Sequence, residues 1–170
     1  MKLLPFAILL ALLTGCTTVR SNKLTDAVPP FKRILIVSKL DNVPVDYAAR
    51  YTQVFPVRYQ VCTMAVNRLT LGDPDSLIRQ KVQECNSDVI LSIGLDRTST
   101  HGSGRYVYTT REIYAEMRTA ANDKPFWKAI LTDSSRPYRN RDLIKPRIIV
   151  SRLQQDGIID RSATANVATQ

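Results

Sequence analysis

The chain has 170 residues, with 24 Lys and Arg against 15 Asp and Glu and a formal net charge of +9. That length gives one domain with a real core. A single His, no Cys-x-x-Cys and no carboxylate cluster leave nothing with metal-ligand spacing. No Gly-rich phosphate loop of the Gly-x-x-x-x-Gly-Lys or Gly-x-Gly-x-x-Gly type is present either.

The N-terminus reads as an export signal. Met1-Lys2 is a minimal positive start, and an apolar run follows from Leu3 to Leu13, broken only by Pro5. As a helix that run covers about 16 Å, half of a hydrocarbon core of about 30 Å, so it suits a signal peptide and not a membrane span. Leu13-Thr14-Gly15-Cys16 follows directly and resembles the lipobox of bacterial lipoproteins. The resemblance implies cleavage before Cys16 and a thioether-linked diacylglycerol on its sulfur, the only cofactor-like group expected. Thr17, and not Asp, follows the Cys, which by the same resemblance points to the outer membrane with the protein facing the periplasm. Two or more acyl chains anchor stably where one does not. The expected organisation is a signal peptide over 1–15, a lipidated tether over 16–30, an α/β domain over 31–159 and a disordered tail over 160–170.

An exported, lipidated chain meets little nucleic acid, so its basic surplus points to anionic envelope components or to a solvated surface. The densest basic stretch holds Arg136, Arg139, Arg141, Lys145 and Arg147. With Cys16 lipidated, Cys62 and Cys85 remain as an even pair in an oxidising compartment, a candidate disulfide whose alternative is two buried thiols.

Val28-Pro29-Pro30 closes the tether in extended form. Ile34-Leu35-Ile36-Val37 is a short β-branched run typical of a buried strand. Asp46 to Phe55 is compatible with a helix through Tyr47, Tyr51 and Val54–Phe55, and Pro56 ends it. Arg58 to Asn67 is a second strand. Asp73 and Pro74 start a helix running to about Glu84. Val89 to Ile93 is a third strand, and Asp96 to Gly104 a polar loop. Arg105 to Thr119 is a long alternating strand, with Tyr106, Tyr108, Thr110, Glu112, Tyr114 and Glu116 on one face. Ala121-Asn122-Asp123-Lys124 turns it into a strand from Pro125 to Thr132. A last helix spans roughly Arg141 to Gln155, kinked or properly begun at Pro146, and Gly157 stops it. The fold class is α/β: a mixed sheet of about five strands in the order βαβαβββα, with helices packed on it.

That order behind a lipobox is similar to a recurring small envelope domain. It is seen in the curli-secretion lipoprotein, in outer-membrane lipoproteins that activate peptidoglycan synthases, and at the N-terminus of the Tol-system propeller protein. The residues carrying the likeness are Ser87 to Gly94, Tyr106 to Arg118, Lys124 to Ala129 and Leu153-Gln154-Gln155-Asp156-Gly157-Ile158. The resemblance implies a non-enzymatic binding or assembly module in cell-envelope biogenesis, or a protomer of an oligomeric secretion assembly.

His101 could join Asp96, Ser99 and Ser103 in a hydrolase constellation, but Gly102-Ser103-Gly104 lacks the strand-to-helix elbow that exposes a nucleophilic Ser. No enzymatic activity is expected. The candidate partner-binding residues are Arg97, His101, Tyr106, Tyr108, Tyr114, Arg136, Arg139 and Arg141, facing an envelope protein or an anionic envelope component. Tyr is enriched at interfaces.

Overall fold

The computed structural model describes residues 18–24, 28–41, 43–44, 46–102, 107–135 and 145–160. Their elements are strands β1 (Thr18–Lys23), β2 (Arg33–Lys39) and β3 (Gln60–Ala65), helix α1 (Pro74–Glu84), strands β4 (Val89–His101), β5 (Tyr108–Thr119) and β6 (Pro125–Ser135), and helix α2 (Pro146–Gln155); a 3-10 helix, Ala49–Gln53, joins β2 to β3. The strands form one six-stranded sheet in the order β1-β6-β5-β4-β2-β3. β2 runs parallel to both β3 and β4, and the β4–β5, β5–β6 and β6–β1 pairs are antiparallel.

The α/β class holds, but the sheet has six strands and not about five. The sixth is β1, which lies inside the stretch expected to be tether. Its sequence, Thr-Val-Arg-Ser-Asn-Lys, has only Val19 as an apolar residue, and it becomes a strand by pairing with the outer edge of β6 from Thr18↔Thr132 to Lys23↔Trp127. Two further expectations shift. The 46–55 helix is a short 3-10 turn: its helical stripe is real, since Tyr47, Tyr51 and Phe55 are buried in the core. Its N-terminal position, however, is Ala48, which offers no side-chain cap. The polar stretch from Asp96 to His101 is not a loop but the outer half of β4, held by its ladder with β5.

The two sheet faces are covered unequally. One carries Ile34, Ile36, Leu91, Ile93, Ile113, Ala115 and Leu131, packed beneath the 3-10 helix and α2, with Ile149 and Leu153 fully buried. The other buries Leu35, Val37 and Ile90 under Ile78 of α1. α1 is capped as its sequence suggests, with Asp73 accepting from the Ser76 amide at 2.9 Å and Pro74 in the first turn. α2 begins at Pro146, and positions 141–144 lie outside the described residues. The β5–β6 turn places Asp123 at φ 59°, a left-handed conformation that Asn and Asp tolerate.

Three long-range contacts close the domain. Cys62 of β3 and Cys85, just past α1, are joined in a disulfide with their Cα atoms 6.2 Å apart. Asp88, just before β4, accepts from the backbone amides of Lys32 and Arg33 and from the Arg33 guanidinium at 2.7 Å. Asp156, just past α2, accepts from the Trp127 indole at 2.7 Å and the Ser21 hydroxyl at 2.5 Å, with Arg152 alongside at 3.2 Å.

Two measurements test this closure. Reduction, or the paired Cys62→Ala and Cys85→Ala substitutions, should lower the unfolding free energy by roughly 3 kcal/mol through the freed 23-residue separation, read from denaturant unfolding with and without reductant. The hydrogen bonds from Arg33 hold the Asp88 carboxyl at a pKa of about 2, below its ordinary value. A depressed carboxylate pKa contributes stability that is complete above the unfolded value near 4 and is lost as pH falls toward 2. Asp88→Ala should therefore cost about 2 kcal/mol at pH 7 and about half of that at pH 3; a cost that does not change between these pH values would remove the ion pair from the account.

Candidate functional site

The parallel half of the sheet needs crossover connections, and these bring α1 onto one face over β2, β3 and the start of β4. In the antiparallel half β4, β5 and β6 are consecutive and β1 pairs on from the N-terminal side, so none is needed. Among the described residues, its α1-side face therefore carries no helix. Ser92 and Gly94 of β4, Glu112, Tyr114 and Glu116 of β5, and Lys128 and Ile130 of β6 all point to that side.

Beyond this face the sheet continues as an arm. β2 stops pairing with β4 at Gly94, whereas β4, β5 and β6 run on together to His101, Tyr108 and Ser135. From Leu95 to His101 every β4 residue is exposed except Ser99, which is half-buried. A strand exposed on both sides buries little in the isolated domain. Among the described residues, the β4 edge turned away from β5 has no strand partner past Gly94.

A bulge between Leu95 and Arg97 decides which side chains meet. Gly94 pairs with Tyr114 and Leu95 with Ile113, but the next pair is Arg97 with Glu112, so Asp96 is the extra residue. A bulge inverts the alternation downstream of it. Arg97, Ser99 and His101 consequently share the helix-free face with Glu112, Thr110 and Tyr108. Without the bulge they would point to the opposite side. Four candidate residues, Arg97, His101, Tyr108 and Tyr114, are thus brought to one surface.

At the arm's end, the His101 and Tyr108 rings stack with centroids 5.3 Å apart and planes 27° from parallel. At its base, the Tyr114 ring covers Gly94 so closely that a Cβ there would sit 2.5 Å from the phenol oxygen. Burial pushes the Tyr114 phenol up from its ordinary pKa, and the neighbouring Glu116 charge adds to the shift. Glu116 reaches across to Lys128 at 2.5 Å. Ile130 is 36% exposed between these charges. The surface is therefore mixed: aromatic and apolar patches ringed by cations and carboxylates, the composition that protein interfaces favour.

The other candidates lie elsewhere. Cys62 and Cys85 sit beside α1, away from this face. Cys16, Tyr106, Arg136, Arg139 and Arg141 lie outside the described residues. Gly94, Lys128 and Ile130 belong to the surface but were not singled out from the sequence. A Gly in a strand interior does signal close approach of another group, and Gly94 carried that signal. A separate groove of about 480 Å³ lies between α1 and the β5–β6 turn, with Ile78, Val82 and Ile90 on its floor and Arg79, Arg118, Asp75 and Asp123 at its rim. Among the described residues, no three His, Cys, Asp or Glu side chains gather as a metal site, and no helix is long and apolar enough to cross a membrane.

No family model matches the chain, and neither does any curated protein. Among solved structures it is similar to a PelC dodecamer from Paraburkholderia phytofirmans, at 13% identity over 82% of this chain and 96% of that one, with a TM-score of 0.47. Lipoprotein GNA1162 from Neisseria meningitidis is 16% identical over 73% of this chain and 96% of that chain, with a TM-score of 0.42. Hypothetical protein CT253 from Chlamydia trachomatis is 9% identical over 74% and 92%, with a TM-score of 0.39. These are loose likenesses of fold and nothing more.

The contact between Gly94 and Tyr114 gives a direct test of the face. Gly94→Ala should displace the Tyr114 ring and cost about 1–3 kcal/mol, the usual range for overpacking, while adding Tyr114→Ala should return most of that loss. A double-mutant cycle by denaturant unfolding reads it; strictly additive losses would mean that the ring does not lie on the glycine.

Proposed function

We propose that this chain is a lipid-anchored, non-enzymatic lipoprotein of the outer membrane, facing the periplasm, and that it binds an envelope partner in cell-envelope assembly. The Cys16 lipobox supports the anchor. The observation that carries the binding role is the sheet face without a helix among the described residues, continued into an arm whose β4 strand is exposed from Leu95 to His101 except at half-buried Ser99. Extended strands fully open to water contribute little to their own domain, and contiguous exposed surface of mixed aromatic and charged character suits a partner. The contact residues on this reading are Arg97, Tyr114, Lys128 and Ile130.

A second reading rests on one specific feature. The bare β4 edge past Gly94 is a template for pairing with another strand. It favours a protomer of an oligomeric outer-membrane secretion or export assembly, with the arm pairing between copies.

Affinity capture from crosslinked cells tests the first reading. Arg97→Ala with Tyr114→Ala should reduce recovery of the captured partner at least fivefold while the thermal midpoint stays within a few degrees. Undiminished recovery would remove this face as the contact. Native mass spectrometry of the detergent-extracted, lipidated protein tests the second: a strict monomer at micromolar concentration sinks it.

A further inference from the structure

The two outermost strands of the sheet are built differently. An open strand edge offers unpaired N–H and C=O groups to any other strand, and charge, proline or a bulge is the usual defence. β1, at one edge, carries Arg20 and Lys23 among its six residues. β3, at the other, reads Gln-Val-Cys-Thr-Met-Ala and has neither charge nor Pro. It pairs with β2 without a bulge from Arg33↔Gln60 to Ser38↔Ala65. Both its faces are packed, Val61 against the core under the 3-10 helix and Cys62 and Met64 against the α1 cluster. The Gln60 amide donates to the Lys32 carbonyl and the Val66 amide to the Ser38 carbonyl, both at 2.8 Å. Backbone groups alternate in direction along a strand, so the Cys62 and Met64 amides also face β2, and those of Val61, Thr63 and Ala65 face away. Among the described residues, no strand pairs with these three on that side.

The chain itself returns to the foot of this strand. After α2, Ile158 and Ile159 are buried in the core, and Asp160 is then held at three points. Its amide donates to the Tyr59 hydroxyl at 3.3 Å, its carbonyl accepts from the Gln154 side chain at 3.4 Å, and its carboxylate pairs with Arg58. Arg58 and Tyr59 immediately precede β3. Residues 161–170 lie outside the described residues. Extended, these ten cover about 33 Å, whereas the six of β3 need about 20 Å, so about four are left to bridge from Asp160. Past Arg161 the stretch reads Ser-Ala-Thr-Ala-Asn-Val-Ala-Thr-Gln. It is as uncharged as β3, and Ala163, Ala165 and Val167 alternate with Ser162, Thr164 and Asn166. Its poverty in large apolar residues does not bar it from a sheet, since β1 is equally poor and is a strand through its pairing with β6.

We propose that residues 161–170 close this edge as a seventh strand, setting out from Asp160 at the foot of β3 and running parallel to it, with backbone hydrogen bonds to Val61, Thr63 and Ala65. The Arg58–Asp160 pair fixes the point from which that strand starts. An edge filled by the chain's own backbone is closed to strands of other molecules. β3 is thereby guarded against edge-to-edge association by pairing, where β1 is guarded by charge.

Residue-resolved hydrogen exchange on the full chain tests the pairing. In the unsubstituted protein the Val61, Thr63 and Ala65 amides should exchange about 100-fold or more slower than unprotected amides. Proline has no N–H to give to a ladder. Asn166→Pro and Val167→Pro, made singly, alter neighbouring positions whose N–H groups point to opposite sides of a strand. Whichever of the two directs its N–H at β3 should speed exchange of the three outward amides about tenfold or more, while the Cys62 and Met64 amides, bonded to β2, keep their rates. Outward amides that exchange as unprotected ones in the unsubstituted protein overturn the proposal. So does protection that survives both prolines, which would assign the cover to another group. Acceleration shared equally by Cys62 and Met64 overturns it as well, because losing a neighbour at one edge leaves the β2 ladder in place.

Discussion

The carboxylate of Asp156 is the contact on which the shape of this domain turns. It receives the indole N–H of the fully buried Trp127, the hydroxyl of Ser21 and the Arg152 guanidinium, so β6, β1 and the end of α2 converge on one group. Burial works against the charge on this carboxylate, but the hydrogen bonds from Ser21 and Trp127 and the Arg152 charge outweigh it and hold the group below its usual pKa. A buried indole N–H left without an acceptor costs about 1–3 kcal/mol, so Trp127 can fill the core only because Asp156 is there. The same group gives β1 a reason to stay. Its six residues bring little apolar surface, and Ser21 is bonded both to Asp156 and, at 2.7 Å, from Arg152.

The candidate site follows from topology more than from any one residue. Parallel neighbours demand crossovers, and those after β2 and β3 fall on opposite faces of the sheet. β4, β5 and β6 follow one another in the chain as antiparallel neighbours and β1 joins from the N-terminal side, so among the described residues only α2 returns, and it packs on the face already holding the 3-10 helix. Among the described residues, one face of the antiparallel half is thus left without a helix. Antiparallel sheets tolerate this because their side chains can alternate between an apolar and a polar face, as β5 does. Ile113, Ala115 and Met117 are buried, while Glu112, Tyr114 and Glu116 stay half-exposed between them.

Hydrophobic periodicity made much of this legible. The continuous runs Ile34–Val37 and Val89–Ile93 and the alternation of β5 were readable because burial itself writes those patterns. The start of α1 was readable because Asp73 and Pro74 act locally. What stayed hidden depends on pairing. β1 has no pattern of its own and is held by partners more than a hundred residues away in sequence. Residues 96–101 look like loop because both their sides are wet, and a ladder of backbone hydrogen bonds leaves no trace in side-chain polarity. The tyrosine face was visible on β5, but its union with Arg97 and His101 hangs on a single bulged residue, Asp96, which period-two reasoning cannot place. The covering of Gly94 by Tyr114 was equally out of reach, since both residues were in view but their register was not.

Turning part of a tether into a strand changes the physics of an anchored protein. A flexible linker of fourteen residues, the length from Thr17 to Pro30, has a root-mean-square span of about 20 Å and lets a domain tumble above its anchor. Only Thr17 separates Cys16 from β1, and a link of at most about 7 Å removes most of that freedom. The ordering cost that a partner would otherwise meet on binding is then already met by the β1–β6 ladder and the Ser21–Asp156 bond, which is the general advantage of preorganisation. On the proposed reading of Cys16 as the attachment point, a partner in the same compartment would meet the Tyr114 face with its orientation restricted by so short a link. On that view the strand with the least apolar character in the sheet does the most to decide how the molecule is presented.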